Sequence, residues 1–197
     1  MVNVFALSFT GCGVCFKIGQ DYDLNVGDFQ IFRAAVMFLV MSAGFPMLKI
    51  HPVKDLPISN KWVVALRSFF GVMCFLTYNI ALTLIPLAFV IILQNLAPFW
   101  TAILASWLNK EPIFLLEYLS MFACLTLIII MSTANADESS VSLPGILVAI
   151  ASSFCMSGLQ ITNRRLKGTS FLVLNWWHSI LGFIFPFIGF GIYAWVN

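Results

Sequence analysis

Charge is what this chain has least of. Asp, Glu, Lys and Arg make up 9% of its 197 residues, against roughly 25% in an ordinary globular domain. So few charges cannot cover a water-soluble fold. The formal net charge is only +2, which excludes a small nucleic-acid module, because such modules bind by neutralising phosphates. Disorder is excluded by the opposite excess: 61% of the residues are hydrophobic, 20 are Phe, and the mean hydropathy is +0.98. The expected partner is a lipid bilayer, with no nucleic acid.

Catalytic and metal-binding patterns are also missing. Cys12, Cys15, Cys74, Cys124 and Cys155 fall inside apolar segments, where buried free thiols are expected and a secreted disulfide framework is not. Cys12 and Cys15 have C-x-x-C spacing, but no second pair and no neighbouring His or acid completes a tetrahedral metal site. There is no glycine loop to cradle a nucleotide, no H-E-x-x-H pair and no Ser, His and Asp set in a known context. Neither an enzyme nor a cofactor is expected.

What is present is a series of long apolar runs. Cutting at polar or Pro/Gly clusters gives seven of about the 20 residues that a membrane helix needs: Val2–Ile18, Phe29–Ile50, Lys61–Leu84, Leu87–Leu108, Ile113–Thr133, Leu143–Asn163 and Phe171–Val196. The first is not a signal peptide by pattern, since its first basic residue, Lys17, follows the apolar stretch. Lys49, Lys54, Lys61, Lys110, Arg164, Arg165 and Lys167 lie in or beside the even-numbered loops, and only Lys17 lies in the odd ones. The positive-inside rule therefore predicts even loops and N-terminus in the cytoplasm, with Asn197 outside.

Two connections organise these spans. Thr83-Leu84-Ile85-Pro86-Leu87 is uncharged and very short, which predicts an antiparallel hairpin turning at Pro86. Residues 134–142 are the longest polar stretch and predict a linker between units 1–133 and 143–197. An offset of about 143 residues lays Ala6–Gly19 on Ala149–Thr162, and Phe29–Ile50 on Leu172–Tyr193. The expected fold is an all-α, polytopic membrane helix bundle, with five helices in one unit and two in the next.

An ordered set of short motifs now carries a resemblance: Arg67-Ser68-Phe69-Phe70-Gly71, Tyr78-Asn79-Ile80-Ala81-Leu82, Ile85-Pro86-Leu87-Ala88, Gln94 through Ala105 and Asn109-Lys110-Glu111, with Arg33 in the second span. This resembles the third-to-fourth helix signature of the EamA-type drug/metabolite transporters. The resemblance implies ten helices in two inverted five-helix repeats with both termini cytoplasmic. Against that pattern the second repeat is truncated, so the chain is expected to be a fragment or a truncated product. One cavity wall would then be open, and transport by a seven-helix product would require a homodimer.

Ionisable groups inside a span face protein or a water-filled cavity, or snorkel to the interface. Arg33, Arg67 and Glu117 qualify. Arg67 and Glu117 share a depth and are expected to form a structural ion pair between the third and fifth helices. In the fourth span Gln94, Pro98, Thr101 and Ala105 recur along one face, and Ala97, Thr101 and Ala105 form a small-xxx-small series. Pro98 predicts a kink, through its clash with the carbonyl of residue 94. That face serves either packing or contact of Gln94, Asn95 and Thr101 with substrate. Tyr78, Asn79 and Trp176 are candidates for the same cavity, and each tyrosine or tryptophan reads equally as an interface anchor. Ala149, Ser153 and Ser157 read as helix packing. His178 has no acidic neighbour in sequence, and a proton relay is the weaker reading of it.

A seven-helix receptor starts outside, whereas this chain is expected to start inside. The expected function is a secondary carrier, or a piece of one, moving a small-molecule metabolite by alternating access about a midplane site. The main alternative is a non-transporting paralogue.

Overall fold

The computed structural model describes residues 2–22, 24–49, 51, 61–109 and 142–196, with isolated positions between 116 and 130. Seven helices fill these ranges: α1 (Val2–Gln20), α2 (Val26–Leu48), α3 (Lys61–Leu84), α4 (Leu87–Gln94), α5 (Ala97–Asn109), α6 (Leu143–Arg165) and α7 (Phe171–Val196). Among the described residues there is no strand. Val26–Met47, Lys61–Leu84, Leu87–Trp107 and Leu143–Arg165 are each long and apolar enough to cross a membrane, and Phe171–Pro186 is a shorter apolar stretch. Most of the span expected at Ile113–Thr133, including Glu117, and all of the linker 134–142 but Ser142 lie outside the described residues.

Local chemistry explains the ends. Asp28 sits in the first turn of α2, and Arg164 with Arg165 in the last turn of α6, each with the sign that the helix dipole favours. Pro144 occupies the start of α6, where its missing N–H costs nothing. Between α6 and α7 the chain reverses through Gly168 at φ +100°, a conformation that only glycine adopts without strain.

The polarity of the bundle is that of a membrane protein. Phe32, Leu39, Trp62, Trp107, Leu143 and Leu147 point outward, Trp62 at 87% exposure. Inside lie Gln30, Arg67, Asn79, Thr101, Asn175 and His178, together with a series of serines. Lipid covers the apolar exterior, so polar groups and close packing, rather than hydrophobic burial alone, hold the helices together. The expected buried thiols are found at Cys74, but Cys15 is exposed. Cys15 lies on the outward face of α1, where a weakly polar thiol meets lipid at little cost.

The Pro86 turn forms as expected, with Ile85 donating to Ala81 and Phe89 to Pro86. Its two arms do not stay together. α6 packs along α3 and along α4 and α5, and the contact between α3 and α4 is slight by comparison. Small residues make this insertion feasible: Gly145, Ala149, Ser152, Ser153, Ser157 and Gly158 are all buried, and the missing side chain at Gly158 leaves room for the Phe70 ring. α2 packs chiefly against α7, and α7 also lies against α3.

The fourth span is broken, as Pro98 predicts. α4 ends at Gln94, Asn95 and Leu96 form a turn, and α5 restarts at Ala97. The break changes the helical phase. Ala97, Thr101 and Ala105 are buried while Pro98 is exposed, so the small-residue series is the packed face and Pro98 lies off it.

Candidate functional site

Two polar centres lie inside the bundle, both against α3. The first joins α3, α4, α5 and α6. Ser152 Oγ lies 3.0 Å from Gln94 Oε1 and 3.1 Å from the Cys74 carbonyl, and Gln94 Nε2 donates to Cys74 Sγ at 3.8 Å. Ser157 donates to the Ala97 carbonyl at 2.7 Å, and the Trp100 indole to Ser153 at 3.2 Å. Thr101 Oγ1 sits 2.8 Å from the Ala97 carbonyl and 2.9 Å from the Gln160 side chain. One hydroxyl proton serves one acceptor, so the Gln160 amide supplies the second bond when its NH2 faces Thr101. Every named polar group here has a partner. The centre works as a zipper that fastens α6 between the arms of the α3–α4 turn.

Replacing Ser152 with Ala removes the hydroxyl that lies between Gln94 and the Cys74 carbonyl, and the one of them that accepts its proton loses that bond. The expected loss is about 1–2 kcal/mol, read as a lower melting temperature of the purified protein. Unchanged melting would mean that the zipper contributes nothing.

The second centre joins α2, α3 and α7 and is the less satisfied of the two. Arg33 does not snorkel to a helix end. Its guanidinium carbon lies 3.8 Å from the Phe75 ring centroid, a cation–π contact, and its Nη2 lies 3.4 Å from His178 Nε2. That bond, if Arg33 donates, leaves the imidazole proton on Nδ1. Gly71 makes this arrangement sterically feasible, because a Cβ there would stand 2.7 Å from His178 Cε1 and Nδ1. Gln30, one turn before Arg33 on α2, is fully buried, and neither amide atom has a partner. Arg33 Nε, Ser68 Oγ and Asn79 Nδ2 are likewise buried without partners among the described residues.

The other sequence candidates fall elsewhere. Tyr78 is buried with its hydroxyl against Gly13 of α1, in an apolar cluster with Phe16, Leu82 and Val90. Asn95 is exposed at the α4–α5 break. Trp176 packs between α2 and α7, stacked on Phe38 at 5.8 Å and donating to Ser42 at 3.2 Å. Arg67 is clamped by neutral groups: its Nε donates to Asn163 Oδ1 at 2.7 Å, Nη1 to the Leu174 carbonyl at 2.9 Å and Nη2 to Asn175 Oδ1 at 3.2 Å. Its expected partner Glu117 lies outside the described residues.

Sequence reading missed Gln30 as a site residue and left His178 aside. The available signal was the i, i+3 spacing of Gln30 and Arg33, which puts two polar groups on one face of an apolar helix.

Taken with the apolar exterior, this interior defines an integral, multi-pass membrane protein built as a helical bundle. The chain belongs to the EamA-like transporter family, whose pattern matches residues 1–133. That family consists of transporters of the drug/metabolite superfamily rather than enzymes. Neither a curated protein nor a solved structure gives a match.

Proposed function

We propose that this chain acts as a secondary carrier, or as part of one, moving a small organic metabolite by alternating access. The observation that carries the reading is the seam between α2, α3 and α7. There, buried polar groups of Gln30, Arg33, Ser68 and Asn79 lack partners among the described residues, inside a bundle with an apolar exterior. Buried polar atoms are normally paired, and a passing substrate supplies partners that the resting fold does not. The broken fourth span adds support, because interrupted helices line the midplane sites of many carriers.

Arg164 and Arg165 close α6 and Lys61 opens α3 at one end of the bundle, while the α3–α4 turn at the other end has no charge. On the positive-inside rule the first of these ends is cytoplasmic, and the N-terminus with it. The units 1–133 and 143–197 are read as inverted repeats, the second carrying two of five helices.

The test is exchange flux in vesicles reconstituted with the whole protein, using labelled amino acids, sugars and organic acids without ATP. Saturable flux above that of empty vesicles is expected for at least one class. Flux indistinguishable from empty vesicles across the panel would overturn the reading.

A further inference from the structure

We infer that the α2–α3–α7 seam is an anion site, shaped for a monovalent organic carboxylate with an apolar body, and that Arg33 is the residue that anchors it. The inference rests on the carrier reading and adds the charge and class of what is carried. It starts from the charges inside the bundle. Lys17, Arg33 and Arg67 are the cations set within α1, α2 and α3 beyond their first turns, and the one acid in the described helices is Asp28, exposed at the start of α2. Among the described residues none of the three cations has a carboxylate partner.

Two of the three are nevertheless satisfied. Lys17 Nζ reaches the Leu82 carbonyl at 2.7 Å, one of the acceptors that the end of α3 leaves open. Arg67 places its three bonds on two asparagines and a carbonyl. Arg33 differs. Its charge rests on the face of Phe75, its bond to His178 is long at 3.4 Å, and its Nε has no partner among the described residues. A ring face attracts a cation without neutralising it, and a cation inside a membrane protein is costly unless paired.

The surroundings select the counter-ion. Gln30 offers a buried amide N–H with no partner among the described residues. Gly182 of α7 lies against Ala34, with Gln30 Nε2 3.9 Å from where its Cβ would stand. His178 and Gly182 are one turn apart on α7, so the Arg33 and Gln30 groups that face them lie against successive turns of that helix. A carboxylate between them takes the Nε and Nη edge of Arg33 on one side, in the fork geometry that arginine favours, and the Gln30 N–H on the other. One arginine matches one negative charge, which disfavours multiply phosphorylated ligands. Phe38, Phe75, Trp176 and Phe183 supply aromatic surface on the same three helices, suited to an apolar body.

The decisive experiment is calorimetric titration of the purified whole chain in detergent with 3-phenylpropionate, its neutral amide, and chloride. The acid is expected to bind at least about tenfold more tightly than the amide or chloride. R33Q is expected to abolish that preference, and R33K to retain the charge but lose most of it, since a lysine has no fork. Q30L, which leaves the charge in place, is expected to weaken acid binding severalfold and covers the case in which R33Q does not fold. Equal binding of acid and amide, chloride binding as tightly as the acid, a preference surviving in R33Q, or no binding at all would each overturn the inference. Vesicle flux separates it from the carrier reading. Carboxylate binding without flux of any metabolite removes the carrier and leaves the anion site; flux of neutral metabolites with no carboxylate preference does the reverse.

Discussion

Replacing Arg67 with leucine is expected to lower the melting temperature of the purified protein by about 10 °C, from a loss of about 3 kcal/mol. The side chain is buried, and its three bonds tie the first third of α3 to the end of α6 and the start of α7. Leucine fills part of the space but donates nothing. It strands the amide oxygens of Asn163 and Asn175, and hydrogen bonds to a charged group are the ones whose removal costs most. These bonds are also the main polar link between the two sides of the Gly168 reversal, near the apolar cluster of Val64, Leu166, Val173 and Leu174. R67K should recover roughly half the loss, because an ammonium can reach one or two of these acceptors but not all three in one plane. A melting temperature within about 2 °C of wild type for R67L would show that the clamp is not a stabilising feature.

Replacing Gly71 with valine should both destabilise the bundle and disable the α2–α3–α7 centre. A single Cβ at residue 71 already falls 2.7 Å from two atoms of the His178 ring. That ring is stiff, buried and tied to Arg33, so it has no free end to swing aside. Overpacking of this kind costs about 1–3 kcal/mol for a small addition, and valine adds two further methyl groups. The ring must leave its place, and with it the contact that positions Arg33 over Phe75. Function is expected to fall more than stability: vesicle flux by at least about tenfold, even at temperatures where the protein stays folded. H178A provides the control. In the G71A background it removes the clash, so the double mutant should melt near H178A alone, a coupling of at least about 1 kcal/mol. Additive effects of the two substitutions would place the strain elsewhere.

Residue type and spacing made a good part of this fold legible. Apolar run length located α1–α3, α6 and α7 to within a few residues, because the hydrocarbon thickness fixes the length of a span. Pro86 and Pro98 marked the turn and the break, through the missing N–H and the clash with the carbonyl four residues back. The series Ala149, Ser153 and Ser157 pointed to close packing, and all three are buried.

What remained hidden was azimuth and partnership. Periodicity shows that residues share a face but not which helix that face meets, so the insertion of α6 between α3 and the α4–α5 pair was not readable. For the same reason the bonds that Gln94 makes with Ser152, and Thr101 with Gln160, were not readable. Arg33 reads as a charge one turn inside a span. Only the turn of its long side chain toward Phe75 reveals that its head lies at midspan, and a rotamer is not written in sequence.

The serines and threonines of the interior carry a consequence for how this protein is made. Ser153, Thr162 and Ser179 each donate to a carbonyl of their own helix, at Ile150, Gly158 and Asn175 respectively, and Ser157 has the Ser153 carbonyl within reach at 3.0 Å as an alternative to Ala97. A hydroxyl that finds its acceptor three or four residues back is already satisfied before any neighbour arrives. Ser153 and Thr162 of α6 therefore keep their own bonds while the helix stands alone in lipid, whereas Ser152 finds its acceptor only on α3. When it meets α3 and α5, Ser157 has only to rotate its hydroxyl from Ser153 to Ala97. For Ser157 docking is thus an exchange of bonds, while Ser152, Trp100 and Gln160 gain theirs only when the helices meet.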